Sequence, residues 1–285
     1  MDGIIIINKP KNCTSHDIVR KAKKILNEKV GHTGTLDPNA TGVLPLLIGK
    51  GTQLSKYIIN HDKIYEAVLK LGEKTDTADV EGKVIATKEI KNECFQINNV
   101  NKILKSLIGT QQQVPPIYSA IKVNGKKLYE YARKGEEVEI KPRTIEIYEM
   151  ELIKIDSENK TIEFRVSCSK GTYIRTLCES IAEKIGTFGY MKELKRIKVG
   201  DFNIEQSITI EDVENKLNND CYISVEDFFK NSASINLKEN KLNLFLNGVQ
   251  LTYKLDDGFY KIYCDNKFIG IGIIKNNLLK RDIIM

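Results

Sequence analysis

Four consecutive β-branched residues, Ile4 to Ile7, stand between Gly3 and Asn8-Lys9-Pro10. A short apolar run bounded by turn formers predicts a buried strand. The period then changes. Ile18, Val19, Ala22, Ile25 and Leu26 fall on one helical stripe, with Arg20, Lys21, Lys23 and Lys24 around it. Thr14 or Ser15 can cap this helix, and Asp17 sits where the helix dipole favours an acid. The four cations read as a solvated face or as contacts to a polyanion. Alternation returns at Ile64 to Leu71, turning Tyr65, Ala67, Leu69 and Leu71 to one face. Gly72 to Gly82 is a polar loop carrying Thr75-Asp76-Thr77-Ala78-Asp79. Val100, Ile103, Leu104, Leu107 and Ile108 make a second helical stripe, ended by Gly109. Ile162, Phe164, Val166 and Cys168 alternate with polar residues as in a one-sided strand. After the turn Ser169 to Thr172, a helix runs from about Tyr173 to Gly186 and places Arg175 in its first turn.

Two stretches differ in texture. Gln111 to Pro116 is expected to break regular structure. Beyond it, Lys122, Lys126, Lys127, Arg133 and Lys134 face only Glu130, with Tyr118, Tyr129 and Tyr131 among them. Cations interleaved with rings suit a nucleic-acid clamp, or an ordinary surface helix. From about Asn231 onward a short helical piece, Lys238 to Gly248, precedes short strands. Asp256-Asp257-Gly258, Asp265-Asn266 and Asn276-Asn277 punctuate them, the first as a hairpin signal. Gly270 and Gly272 alternate within Phe268 to Ile274, allowing bends or close backbone approach. These features predict a small β-barrel domain over 231–285.

Composition narrows the class. The 285 residues are 41% hydrophobic and 29% charged, enough to bury a core, with a net charge of +6. That charge permits a polyanionic partner without demanding one. Apolar runs are too short to span a membrane, and the start MDGIIIINKP lacks the basic region of a secretory signal. Cys13, Cys94, Cys168, Cys178, Cys221 and Cys264 form no C-x-x-C pair, and His16, His32 and His61 are scattered. The cysteines therefore read as reduced thiols of a cytoplasmic protein, and no metal site is expected.

The segment Gly31-His32-Thr33-Gly34-Thr35-Leu36-Asp37-Pro38 is the most unusual. Alone, Asp37-Pro38 is explained by a helix start and the glycines by a turn. His32 alone is a hydrogen-bonding residue, and Tyr65 alone a core ring. In order along nearly the whole chain, however, stand Asn8-Lys9-Pro10, Val30 to Pro38, Ala40 to Pro45, Lys63-Ile64-Tyr65, Thr75-Asp76-Thr77, Tyr118-Ser119-Ala120, Gly125 to Arg133, Cys168 to Leu177 and Leu194-Lys195-Arg196. This series resembles the tRNA pseudouridine-55 synthases, the TruB-type branch of pseudouridine synthases.

The resemblance implies an α/β fold. A mixed, mostly antiparallel sheet with flanking helices forms a catalytic domain over 1–230, with an RNA-clamping insert at about 110–135. A small PUA-like β domain follows over 231–285. It implies a cofactor-free isomerase acting on a flipped uridine in the T-loop of tRNA. In that reaction the C–N glycosidic bond breaks, the uracil turns and a C–C bond forms. Asp37 matches the catalytic aspartate, which must be ionised to act as a nucleophile. Arg175 matches the arginine that pairs with it, a contact that favours the charged form. Tyr65 matches the tyrosine stacked on the target base. His32 matches the residue that occupies space vacated in the RNA loop, and Leu194 the apolar contact to the base. Lys9 has a supporting role, Tyr173 shapes the pocket floor, and Lys126, Lys127 and Arg133 belong to the clamp. The expected protein is a cytoplasmic monomer needing no protein partner or membrane. A synthase acting on ribosomal RNA, or an RNA-folding module using the same surface, are the alternatives.

Overall fold

The structure, a computed structural model, describes residues 1–215 and 221–285. Its contacts separate two compact units. One holds Met1–Pro38, Val43–Ile59 and Ile204–Met285; the other holds Asn39–Gly42 and Asn60–Asn203.

In the first unit the all-apolar run becomes the strand Gly3–Lys9, antiparallel to Tyr222–Ser224 and beside Thr41–Ile48, which also pairs with Val30–His32. Ile5 and Ile7 point with Leu44, Leu46 and Ile48 toward the helix Ser15–Leu26, whose Ile18, Val19 and Ala22 close the core. Each such buried aliphatic side chain contributes about 1.5–3 kcal/mol. Thr14 is the cap. Its hydroxyl accepts from the Asp17 amide at 3.1 Å, while the Asp17 carboxylate accepts from the Thr14 amide at 2.9 Å. The Thr14 hydroxyl first, which donates to the Asp17 carboxylate at 2.6 Å, then the Thr14 amide and Arg20 hold that carboxyl below the usual carboxylate range. The reciprocal cap leaves the Ser15 hydroxyl available elsewhere.

The end of the chain forms a five-stranded sheet in the order Ala233–Asn236, Gly258–Cys264, Lys267–Lys275, Leu278–Ile284, Leu251–Thr252. It has its own core of Ile235, Phe245, Tyr260, Ile262, Ile274 and Leu279. The hairpins turn at Asp265-Asn266 and Asn276-Asn277, all four with left-handed backbone. Asp256-Asp257-Gly258 does not close a hairpin, because Leu251–Thr252 pairs with the last strand instead. The demand for close approach falls on Gly270, where a Cβ would lie 2.0 Å from the Ile283 carbonyl oxygen.

The second unit is built on the strand order Gly189–Val199, Lys63–Leu71, Thr161–Cys168, Arg143–Asp156, Gly109–Gln113, all neighbours antiparallel. Thr41 and Gly42 run parallel to Lys195 and Arg196, making the sheet mixed. The helices Ile97–Lys105 and Ile174–Ile185 pack on it. Gln111 to Gln113 do not break structure as expected; they pair with Arg143 to Ile145. All six cysteines are free thiols, five of them buried. Among the described residues no helix is long and apolar enough to cross a membrane. The fold thus combines a mixed, mostly antiparallel sheet flanked by helices with a separate five-stranded sheet made from the last residues.

Candidate active site

The first unit presents Asp37 on a loop pinned on both sides. Upstream, the Ser15 hydroxyl accepts from the Leu36 amide at 2.9 Å and donates to the Leu36 carbonyl at 3.2 Å. Downstream, the fully buried Lys9 ammonium donates to the carbonyls of Pro38, Pro10 and Cys13 at 3.0, 2.9 and 2.8 Å. A buried ammonium needs such acceptors, since burial otherwise disfavours its charge. Asp37 therefore sits between two anchored neighbours and stays partly exposed. His32 ends its own short strand opposite Leu46, at the start of the same loop.

The second unit presents Tyr65 on the strand Lys63–Leu71, whose alternate residues are buried. Antiparallel register sets Arg196 opposite Tyr65 on one side and Val166 on the other, with Leu194 opposite Ala67. Residues directly opposite share a face, so Tyr65, Leu194 and Arg196 line one surface. Gly42 lets the chain lie against Arg196: its φ is +104° and a Cβ would sit 2.1 Å from the Arg196 carbonyl oxygen. On the same face Lys63 is buried opposite Cys168 and Val199. Burial first, and Arg196 second, pull the Lys63 ammonium down to about 8. Burial pushes the Cys168 thiol up to about 11.

Arg175 stands at the start of the helix Ile174–Ile185, 5% exposed. Its guanidinium donates to the carbonyls of Tyr118 at 2.8 Å and Thr77 at 3.3 Å, and lies 3.5 Å from the Asp79 carboxylate. Asp79 is itself held by the Thr77 hydroxyl at 2.6 Å and the Glu81 amide at 3.0 Å. Just before the helix, Gln113 clasps the backbone of Tyr173, accepting from its amide at 2.8 Å and donating to its carbonyl at 3.0 Å.

The basic segment folds as a hairpin, Lys122–Val123 against Lys126–Lys127, turned by Asn124 and Gly125 with left-handed backbone. The helix Leu128–Lys134 follows, ended by left-handed Gly135. Lys126 lies over the Tyr131 ring, and Lys127 and Arg133 lie over Tyr129.

Residues 22–174 match the N-terminal domain of the TruB family pseudouridylate synthases, and residues 175–226 the tRNA pseudouridylate synthase B C-terminal domain. The chain belongs to the TruB pseudouridylate synthase family. It is 42% identical to a protein of Caldanaerobacter subterraneus named tRNA pseudouridine synthase B, covering 98% of both chains. Relatives of that name in Clostridium kluyveri and Aquifex aeolicus are 43% and 39% identical, over 97% and 98% of this chain and 96% and 98% of theirs. In fold it is similar to a chain of an H/ACA ribonucleoprotein bound to a substrate RNA containing 2′-deoxyuridine, with TM-score 0.67 and 23% identity over 99% of this chain and 85% of that one. A chain of an archaeal box H/ACA complex gives TM-score 0.67 at 22% identity over 99% and 86%. This synthase has the pseudouridine synthase fold and is an isomerase.

Within this synthase, Lys9, His32 and Asp37 belong to the first unit. Tyr65, Tyr173, Arg175, Leu194, Lys126, Lys127 and Arg133 belong to the second. Three contributors were not singled out by sequence reasoning. Ser15 reads as a possible cap and as part of the Thr14-Ser15 pair within the family resemblance, Asp79 only as part of a polar loop, and Gln113 as a breaker. Ser15 carries the best signal of the three, because it lies in a matching motif.

Proposed function

We propose that this synthase isomerises the uridine at position 55, in the T-loop of tRNA, to pseudouridine, acting alone as a cytoplasmic monomer. Asp37 is the nucleophile and Arg175 its cationic partner. Tyr65 stacks on the flipped base, offsetting part of an unstacking cost of a few kcal/mol. Leu194 packs against the uracil, Tyr173 shapes the pocket, and His32 fills space left in the RNA loop. Lys9 acts through the Asp37 loop. The observation that carries the reading is the anchoring of Leu36 by Ser15 and of Pro38 by Lys9. A nucleophile held from both sides approaches its target with little reorganisation. As the N-glycosidic bond breaks and the C–C bond forms, a proton leaves the ring carbon and one is returned to the ring nitrogen, so no cofactor is consumed.

Lys126, Lys127 and Arg133 of the insert contact backbone phosphates of the T-arm, and residues 231–285 form a PUA-like domain that touches RNA away from the reacting base. The test is to incubate the purified chain alone with unmodified tRNA and map pseudouridine by position. Product at the T-loop uridine alone is expected. Product only after guide RNA or added proteins, or only in ribosomal RNA, overturns the reading.

A further inference from the structure

The tyrosines of the insert do not simply alternate with its cations; they carry them. Lys127 and Arg133 come from different elements, the hairpin strand and the following helix. Yet the Lys127 ammonium and the Arg133 guanidinium each lie 5.3 Å from the centroid of the same ring, Tyr129. The Lys127 ammonium also donates to the Tyr129 hydroxyl at 3.2 Å. Arg133 reaches the ring because it follows Tyr129 by one helical turn. Among the described residues neither cation is paired with a carboxylate, whereas Lys134 beside them is paired with Glu136 at 3.9 Å.

Two like charges repel, and long cationic side chains in water occupy many rotamers. The negative face of an aromatic ring offsets the first effect and narrows the second. A cluster of two unneutralised cations on one ring lacks only an anion. The Arg133 side chain is exposed and the Lys127 side chain partly so, leaving both open to one.

We infer that Tyr129 is a positioning residue that holds Lys127 and Arg133 together as a preformed seat for one RNA backbone phosphate. This rests on the proposal that the insert binds RNA, and it assigns the ring a task other than base stacking. Lys126 over Tyr131 at 5.7 Å, with the Tyr131 hydroxyl donating to the Val123 carbonyl at 3.1 Å, repeats the pattern with a single cation.

A double-mutant cycle on the full chain tests it. Binding to unmodified tRNA is measured across a salt series for Tyr129→Leu, Tyr129→Phe, Lys127→Ala/Arg133→Ala, and Tyr129→Leu in that double-alanine background. Tyr129→Leu is expected to weaken binding about fivefold, seen in KM with kcat kept, and Tyr129→Phe, which retains the ring under Arg133 but loses the hydroxyl that accepts from Lys127, to recover only part of it. In the double-alanine background Tyr129→Leu is expected to change nothing further, because there are no cations left to place. Equal loss in both backgrounds means Tyr129 acts on the fold or on a base, and overturns the inference while leaving the insert an RNA contact. Unchanged binding and salt slope in the double-alanine variant alone removes the insert from the RNA interface, and the inference with it.

Discussion

The Lys9 ammonium lies 3.0 Å from the carbonyl oxygen of Pro38, the residue that follows Asp37, although 29 positions separate the two in sequence. A fully buried cation is thereby used as a three-way clamp on backbone, with Pro10 and Cys13 as its other acceptors.

Lys9→Met keeps the volume and removes the donors. Three carbonyls lose a charged partner, so stability should fall by about 2–4 kcal/mol. The single-turnover rate should fall by roughly tenfold or more as the loop loosens, with tRNA affinity nearly kept. Urea unfolding and rapid-quench product measurement check both. Unchanged stability would mean the ammonium holds nothing in place.

Asp79→Asn addresses the other unit. The Arg175–Asp79 pair at 3.5 Å has side chains only 6% and 10% exposed. Removing one charge of a buried pair leaves the other undercompensated, at about 3 kcal/mol. The guanidinium keeps its bonds to Tyr118 and Thr77 but loses a counter-charge, so kcat should drop while tRNA affinity holds. Thermal unfolding with steady-state kinetics reads this. Wild-type values in both would dismiss Asp79 as a support of Arg175.

How far these features were legible follows from their range. Lys63–Leu71 and Thr161–Cys168 announce themselves through a period of two, and Ser15–Leu26 through its stripe and cap. Such signals are local. The Gln113 clasp on Tyr173 spans 60 positions and the Ser15 bond to Leu36 spans 21, so no window of the sequence contains them. The hairpin expected at Asp257-Gly258 failed for the same reason: its preceding strand found a partner at the chain's end. The tyrosines of the insert were visible as composition, but composition cannot say that their faces carry Lys126, Lys127 and Arg133. Asp37 stood out because the motif around it is long, whereas its anchors are single residues.

Lys63 predicts a pH dependence. Its ammonium is pulled from 10.5 to about 8 in the folded chain, chiefly by burial. Below about 8 both folded and unfolded chains carry the proton, and the folded state bears the full penalty of a buried charge. Between about 8 and 10.5 the unfolded chain binds more protons than the folded one, so stability rises with pH. Relative to Lys63→Met, the wild type should therefore gain stability across that window and not below it. Urea midpoints of the two proteins from pH 7 to 10.5 give the difference. A flat difference would mean Lys63 titrates normally.

The most direct measurement is nucleotide-resolution mapping of pseudouridine in unmodified tRNA treated with Asp37→Asn under single-turnover conditions, alongside tRNA affinity. The substitution keeps shape and removes the nucleophilic charge. Affinity within about twofold of wild type and no product at the T-loop uridine is the predicted result. Near-normal conversion at that position would contradict Asp37 as the nucleophile, and with it the account of the loop that Lys9 and Ser15 hold.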